Sequence, residues 1–147
     1  MFIVFDLDGT LADFEHRRKF IQNRPRNNDE YWTRFYKACT EDKPIVPMIE
    51  LFKAVHGSLE HRIEIWTGRS DIVEDETRHW ILKHTNIIIR PRMRKHGDTT
   101  PDWALKKGWL LSSDTKVDLV FEDRPSCVDM FRSEGVTVAQ LQSGVLA

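Results

Sequence analysis

Three times in this chain a short apolar run stops abruptly at acidic or small polar residues, and that pattern limits the fold more than any other feature. The first run is Phe2-Ile3-Val4-Phe5, followed at once by Asp6-Leu7-Asp8-Gly9-Thr10. β-branched and aromatic residues without polar alternation describe a strand buried on both faces, as in a parallel sheet covered by helices on each side. Arg62 to Trp66 is a second strand that runs into Thr67-Gly68-Arg69-Ser70-Asp71, and Val117 to Phe121 is another that runs into Glu122-Asp123-Arg124-Pro125. Ligands of open α/β sheets gather beyond the carboxyl ends of the strands, so these three ends are expected to share one edge and one site.

Helical periodicity fills the intervals. Met48, Leu51, Phe52 and Val55 repeat at i, i+3, i+4, i+7 in a helix closed by His56-Gly57. Asp71 with Glu74 fits a capping box for a helix through His84, with Val73, Trp80, Ile81 and His84 on one face. Ile87-Ile88-Ile89 reads as a further short strand, followed by a basic loop from Arg90 to His96. Pro101 or Asp102 starts a helix carrying Trp103, Leu105, Lys106 and Leu110, in which Asp102 and Lys106 are i, i+4 neighbours. A helix from about Pro125 to Glu134, stopped by Gly135, leads to a last strand, Val136 to Ala139. Strand and helix alternate throughout, which predicts an α/β fold: a three-layer, doubly wound parallel sheet with right-handed crossovers.

One segment breaks the alternation. Residues 14–43 are polar and basic, with helical spacing around His16 to Gln22 and from Asp29 to Cys39, where Tyr31, Trp32, Phe35, Tyr36 and Cys39 recur, and a turn at Asn23 to Asn28 between them. The expected organisation is a single domain over residues 1–147, its core formed by 1–13 and 44–147 and a small helical cap inserted at about 14–43 beside the site. The cap aromatics are expected mainly to pack it onto the body.

A net charge of −1 in 147 residues gives no bulk signal for a polyanion partner. The charge is unevenly placed: residues 14–26 sum to +4 (five basic, one acidic), residues 87–107 again to +4 (six basic, two acidic), and residues 108–147 to −3 (three basic, six acidic). Two basic sectors flanking an acidic centre suit a phosphorylated substrate. Cys39 and Cys127 have no metal-ligand spacing, and neither a signal segment nor a membrane-length apolar run is present, so a cytoplasmic protein without membrane contact is expected.

A hydrophobic strand followed by Asp6-Leu7-Asp8-Gly9-Thr10 resembles the first motif of the haloacid dehalogenase superfamily, most of whose members are Mg²⁺-dependent phosphohydrolases. Thr67-Gly68-Arg69, Lys106 and Glu122-Asp123 resemble its second, third and fourth motifs, in order. The resemblance implies that Asp6 is a nucleophile forming an aspartyl-phosphate and that Asp8 shuttles the proton. Thr67 and the amides after it, Gly68 included, would grip the phosphoryl oxygens together with Thr10, and a lysine would neutralise them. Periodicity does not choose between Lys106 and Lys107 for that task. Mg²⁺ would be held by Asp6, the backbone carbonyl of Asp8 and Asp123, with Glu122 behind them.

Gly97-Asp98-Thr99, Asp102, Lys106, Phe121 to Arg124 and Val128 to Arg132 further resemble the 3′-phosphatase half of bacteriophage-type polynucleotide kinase. That family implies a 3′-phosphoryl substrate on a nucleic-acid end or nucleotide, and functional positions at Asp6, Asp8, Arg17, Thr67, Arg69, Asp102, Lys106 and Asp123. Three departures stand out: Glu122 where that family often has Asp, Arg17 within a His16-Arg17-Arg18 run, and a longer segment from Phe14 to Lys43. No Gly-x-x-x-x-Gly-Lys-Ser/Thr loop occurs, so a kinase half is not expected here and any kinase or ligase partner would be separate. The alternative is a 5′(3′)-nucleotidase, whose fourth motif Glu122-Asp123-Arg124-Pro125 also resembles. A groove lined by Arg17, Arg24, Arg90, Arg92 and Arg94 would favour a polymer end, and Trp32 or Tyr36 stacked over a closed pocket a free nucleotide.

Overall fold

In the computed structural model, residues 1–20 and 29–142 are described. Strand β1 (Phe2–Phe5) is buried along its whole length and forms the middle of a five-stranded sheet. The other elements are β2 (Ala12–Asp13), α1 (Asp29–Lys37), β3 (Lys43–Pro44), α2 (Val46–Gly57), β4 (Arg62–Ser70), α3 (Glu74–Thr85), β5 (Arg92–Arg94), α4 (Asp102–Ser112), β6 (Leu119–Glu122), α5 (Pro125–Ser133) and β7 (Thr137–Gln140). The sheet order is β5-β4-β1-β6-β7, with every neighbouring pair parallel. Alternate side chains of β1 serve two cores. Phe2 and Val4 join Val120, Val128 and Phe131, with Trp109 and Leu110 against them, while Ile3 and Phe5 join Ile49, Phe52, Trp80 and Ile81. Helices α2 and α3 therefore cover one face and α4 and α5 the other, which is the expected three-layer arrangement.

Register brings the three expected ends together. Phe5 is level with Ile65 of β4 and Phe121 of β6, and the Asp6 amide continues the ladder by donating to the Phe121 carbonyl at 2.9 Å. The residues one step further along β1, β4 and β6 are thus side by side.

The structure corrects the sequence reading in three places. Ile87-Ile88-Ile89 is not a strand: Ile87 and Ile89 lean on the core, Ile88 is 81 % exposed, and the ladder to β4 is made instead by Arg92–Arg94 within the expected basic loop. The reason is the length of β4, which continues through Thr67, Gly68 and Arg69 to Ser70 rather than turning after Trp66, so its edge partner pairs from Trp66 to Ser70. The Asp71–Glu74 capping box does not form. Ser70 caps the short 3₁₀ turn Asp71–Val73 by accepting from the Ile72 amide at 3.3 Å, and the Asp71 carboxylate accepts from the His96 amide at 3.0 Å.

The insertion leaves and re-enters through a two-stranded antiparallel neck, Ala12 opposite Pro44 and Asp13 opposite Lys43. Within it, Glu15–Phe20 is a 3₁₀ helix where an α-helix from His16 to Gln22 was expected, and Ala38–Glu41 is another. The end of that expected helix and the Asn23–Asn28 turn lie outside the described residues, as does Arg24. Of the cap aromatics, Phe35 is buried, with Phe14 and Trp32 edge-on at 6.4 and 5.6 Å, whereas Trp32 and Tyr36 remain half-buried.

Candidate active site

The turn after β1 separates its two carboxylates. Leu7 offers its carbonyl to the amides of Thr10, Leu11 and Ala12, which winds the chain tightly and aims Asp8 away from Asp6. Gly9 sits in this turn at φ +87°, and a Cβ there would lie 2.0 Å from Oδ2 of Asp123. Only glycine lets the loops after β1 and β6 approach this closely.

Around Asp6 the site is rich in negative charge. Lys106, 2 % exposed on α4, donates from Nζ to Oδ1 of Asp6 and Oε2 of Glu122, both at 2.7 Å. Glu122 Oε1 accepts from the amides of Asp123 and Arg124, each at 3.1 Å, and Thr10 Oγ1 approaches Oδ2 of Asp6 at 3.4 Å. Oxygens of Asp6, Glu122 and Asp123 lie within 4.8 Å of one another, so the glutamate expected behind the centre joins it. Burial, reinforced by the charge of Glu122, pushes Asp6 well above the usual carboxylate range and Asp123 up to about 7. Burial acts in the same direction on Glu122, but Lys106 outweighs it and holds that carboxyl low. Three crowded carboxylates with one ammonium fit a hard divalent cation with oxygen ligands, as Mg²⁺ is. Lys107 points elsewhere, to Glu134 at 3.2 Å, so of the two lysines it is Lys106 that lies at Asp6.

Asp8 belongs to a balanced half. Its Oδ1 accepts from Nη2 of Arg17 and Nη2 of Arg69, both at 2.7 Å, and its Oδ2 from Nε of Arg69 at 3.1 Å. Behind the arginines is Asp42, fully interior, accepting at Oδ1 from Arg17 Nε (2.8 Å) and at Oδ2 from Nη2 of both Arg17 and Arg69 (2.8 Å each), with His16 Nε2 2.7 Å from Oδ1. Arg17 Nη1 reaches the Phe35 carbonyl at 3.2 Å and its guanidinium lies 4.6 Å from the Phe35 ring centroid; Arg69 Nη1 donates to Thr77 Oγ1 at 3.1 Å. Burial alone would raise Asp8, yet Arg17 and Arg69 outweigh it and hold its carboxyl far below the usual range. Asp42 was missed in the sequence. Its signal was faint: an acid at the Pro-marked end of a basic insertion, whose carbonyl also accepts from Trp80 Nε1 at 2.8 Å.

The rim is built from the end of β4. Thr67 is buried, its Oγ1 accepting from the Arg69 amide at 3.1 Å. A Cβ on Gly68 would lie 2.5 Å from Oδ1 of Asp102. Asp102 in turn is bridged by Arg94 Nη2 at 2.6 Å and by Arg124 Nη1. Helical neighbours Asp102 and Lys106 thus take different partners. The expected groove of arginines is also divided. Arg94 is buried, stapling the carbonyls of Gly68, Asp98 and Thr100; Arg90 is exposed and paired with Glu74 at 2.6 Å; Arg92 lies over Trp66 and Trp109 at 5.7 and 5.2 Å.

Comparison with known proteins agrees with this geometry. The family model "Polynucleotide kinase PNKP phosphatase domain" matches residues 1–145. A protein of Autographa californica nuclear polyhedrosis virus, described as a bifunctional polynucleotide kinase/RNA ligase, is 30 % identical over 134 residues, which is 88 % of this chain but 17 % of that protein. Among solved structures, a chain of the Pnkp1/Rnl/Hen1 complex superposes with a TM-score of 0.71 at 22 % identity, over 95 % of this chain and 45 % of that one. A family IA haloacid dehalogenase-type hydrolase from Entamoeba histolytica gives 0.61 at 18 % identity, over 97 % and 84 %. This chain therefore spans less than half the length of the viral relative and of the Pnkp1/Rnl/Hen1 chain. It belongs to the family of polynucleotide kinase PNKP phosphatase domains, phosphatases of the haloacid dehalogenase type.

Proposed function

We propose that the chain is a Mg²⁺-dependent phosphomonoesterase that removes a 3′-phosphate from nucleic-acid ends through an aspartyl-phosphate on Asp6. The observation that carries the reading is the Asp6 carboxylate: Lys106 takes Oδ1 at 2.7 Å, while Oδ2 has Thr10 at 3.4 Å and the Asp123 carboxylate close by, so Oδ2 is the oxygen assigned to attack phosphorus. A bond forms from Oδ2 to phosphorus as the bond to the leaving oxygen breaks, and Asp8 gives that oxygen its proton. Asp8 then deprotonates water, which attacks the aspartyl-phosphate and frees phosphate and Asp6. In the resting site Asp8 is ionised between Arg17 and Arg69. Asp8 therefore takes up from solvent the proton it gives to the leaving oxygen, and the negative charge of a bound phosphate nearby raises its proton affinity. Asp6, Asp123 and the Asp8 carbonyl would hold Mg²⁺, which supplies positive charge to the phosphoryl oxygens.

The family and the viral relative support a polynucleotide end as substrate and a kinase or ligase as partner. A 5′(3′)-nucleotidase is the second reading, favoured by the half-buried aromatic pair Trp32 and Tyr36 at the cap. Phosphate release with Mg²⁺ from a 3′-phosphorylated oligonucleotide, a 3′-mononucleotide and a 5′-mononucleotide separates them. The oligonucleotide is expected to be the best substrate, and activity confined to the 5′-mononucleotide would refute end processing.

A further inference from the structure

The cap aromatics do not all serve packing. Phe35 is buried against Arg17 with Trp32 and Tyr36 at 5.6 and 5.5 Å, and the rings of Trp32 and Tyr36 themselves lie 6.0 Å apart and 30° from parallel, both half-buried. Tyr36 is carried to the rim of the site: its hydroxyl lies 3.5 Å from the Gly68 carbonyl, next to Thr67 at the end of β4. That contact is at the limit of a hydrogen bond, so it fixes the ring weakly and is easily exchanged. The same Gly68 carbonyl accepts from Arg94 Nε at 2.9 Å, and Arg94 also holds Asp102 at 2.6 Å, which puts the hydroxyl beside the Asp102 rim. Burial raises its pKa, so it remains a neutral donor at the pH of the reaction.

We propose that Tyr36, backed by Trp32, is the platform for the terminal nucleoside: the ring stacks on the base next to the scissile phosphate. This rests on the phosphatase reading above and names the part of the substrate that the Asp6 centre leaves unrecognised. Tyr36 stands at the Gly68 rim, and a flat aromatic surface there suits a base better than an aliphatic alcohol. Stacking of this kind tolerates any base, since every base has a π-face, and predicts a nucleoside requirement without sequence preference.

The test measures kcat/KM of wild type, Tyr36→Ala and Tyr36→Phe on three substrates: a 3′-phosphorylated oligonucleotide, the same oligonucleotide with an abasic terminal residue, and glycerol 2-phosphate. Tyr36→Ala is expected to lose about tenfold or more on the first and less than about twofold on the other two. Tyr36→Phe should keep most of the preference for a terminal base. An equal loss on all three substrates, no loss on any, or a Phe variant as impaired as the Ala variant would overturn the proposal. Should wild type act only on 5′-mononucleotides, the end-processing reading falls separately. The platform is then judged on a 5′-mononucleotide against ribose 5-phosphate, where the same gap supports it and an absent gap refutes it.

Discussion

The two aspartates of the first motif sit two residues apart and live in opposite electrostatic worlds. Asp6 shares one lysine with Glu122 and has Asp123 beside it, and its carboxyl and that of Asp123 are pushed upward. Asp8 shares two arginines with Asp42 and is held far down. The first half is short of positive charge and suited to recruiting a cation. The second carries its own balance, two arginines against two aspartates. Winding the chain around the Leu7 carbonyl is what separates them.

Removing the lysine should give the largest effect. Lys106→Met leaves Asp6 and Glu122 buried without a counter-charge, and a fall of about 3–5 kcal/mol in urea-unfolding stability is expected. Phosphate release should drop by about a hundred- to a thousandfold, as when a preorganised donor is removed. Stability and activity near wild type would deny the acid-rich character of this half.

Asp42→Asn probes the balanced half. The amide keeps part of the network but loses the charge that orients Arg17 and Arg69, so an activity loss of about tenfold to a hundredfold is expected, with a stability loss of about 1–3 kcal/mol. Steady-state kinetics beside urea titration read both.

Mg²⁺ should then tell the halves apart. At a concentration about 100 times Kd it should stabilise wild type by about 2.7 kcal/mol, and stabilise Asp42→Asn by a similar amount, but leave Asp123→Asn nearly unaffected. The pH dependence has a defined sign. Asp123 rises from about 3.9 unfolded to about 7 folded, so the folded state binds the extra proton. Its contribution is fully present below about pH 4 and is lost as the pH climbs through 7. In EDTA, the stability of wild type relative to Asp123→Asn should therefore decline across that window.

Arg90→Ala should do least. Its exposed pairing with Glu74 places it on the surface, and a change of less than about twofold in kcat/KM on an oligonucleotide is expected. A tenfold loss would restore the groove of arginines anticipated from sequence.

What was legible in the sequence was whatever short-range pattern dictates. Buried strands announce themselves by unbroken apolar runs, and β1, β4 and β6 carried Asp6, Thr67 and Asp123 to one edge as their positions along the strands required. Edge pairing was not legible. Ile87-Ile88-Ile89 has better strand composition than Arg92-Met93-Arg94, but the ladder is decided by which segment reaches the second half of β4. Asp42 left only a faint signal for a related reason. Its role depends on two guanidiniums brought from residues 17 and 69, and no periodicity encodes a meeting over that separation.

The division between the halves matters only if Asp6 is the atom that takes the phosphoryl group. Acid quench of a single turnover on an oligonucleotide with radiolabelled 3′-phosphate, followed by peptide mapping, tests this directly. Label on Asp6, labile to hydroxylamine, is the expected result. Turnover without any labelled protein, or label on Asp8 or Asp123 instead, would contradict it.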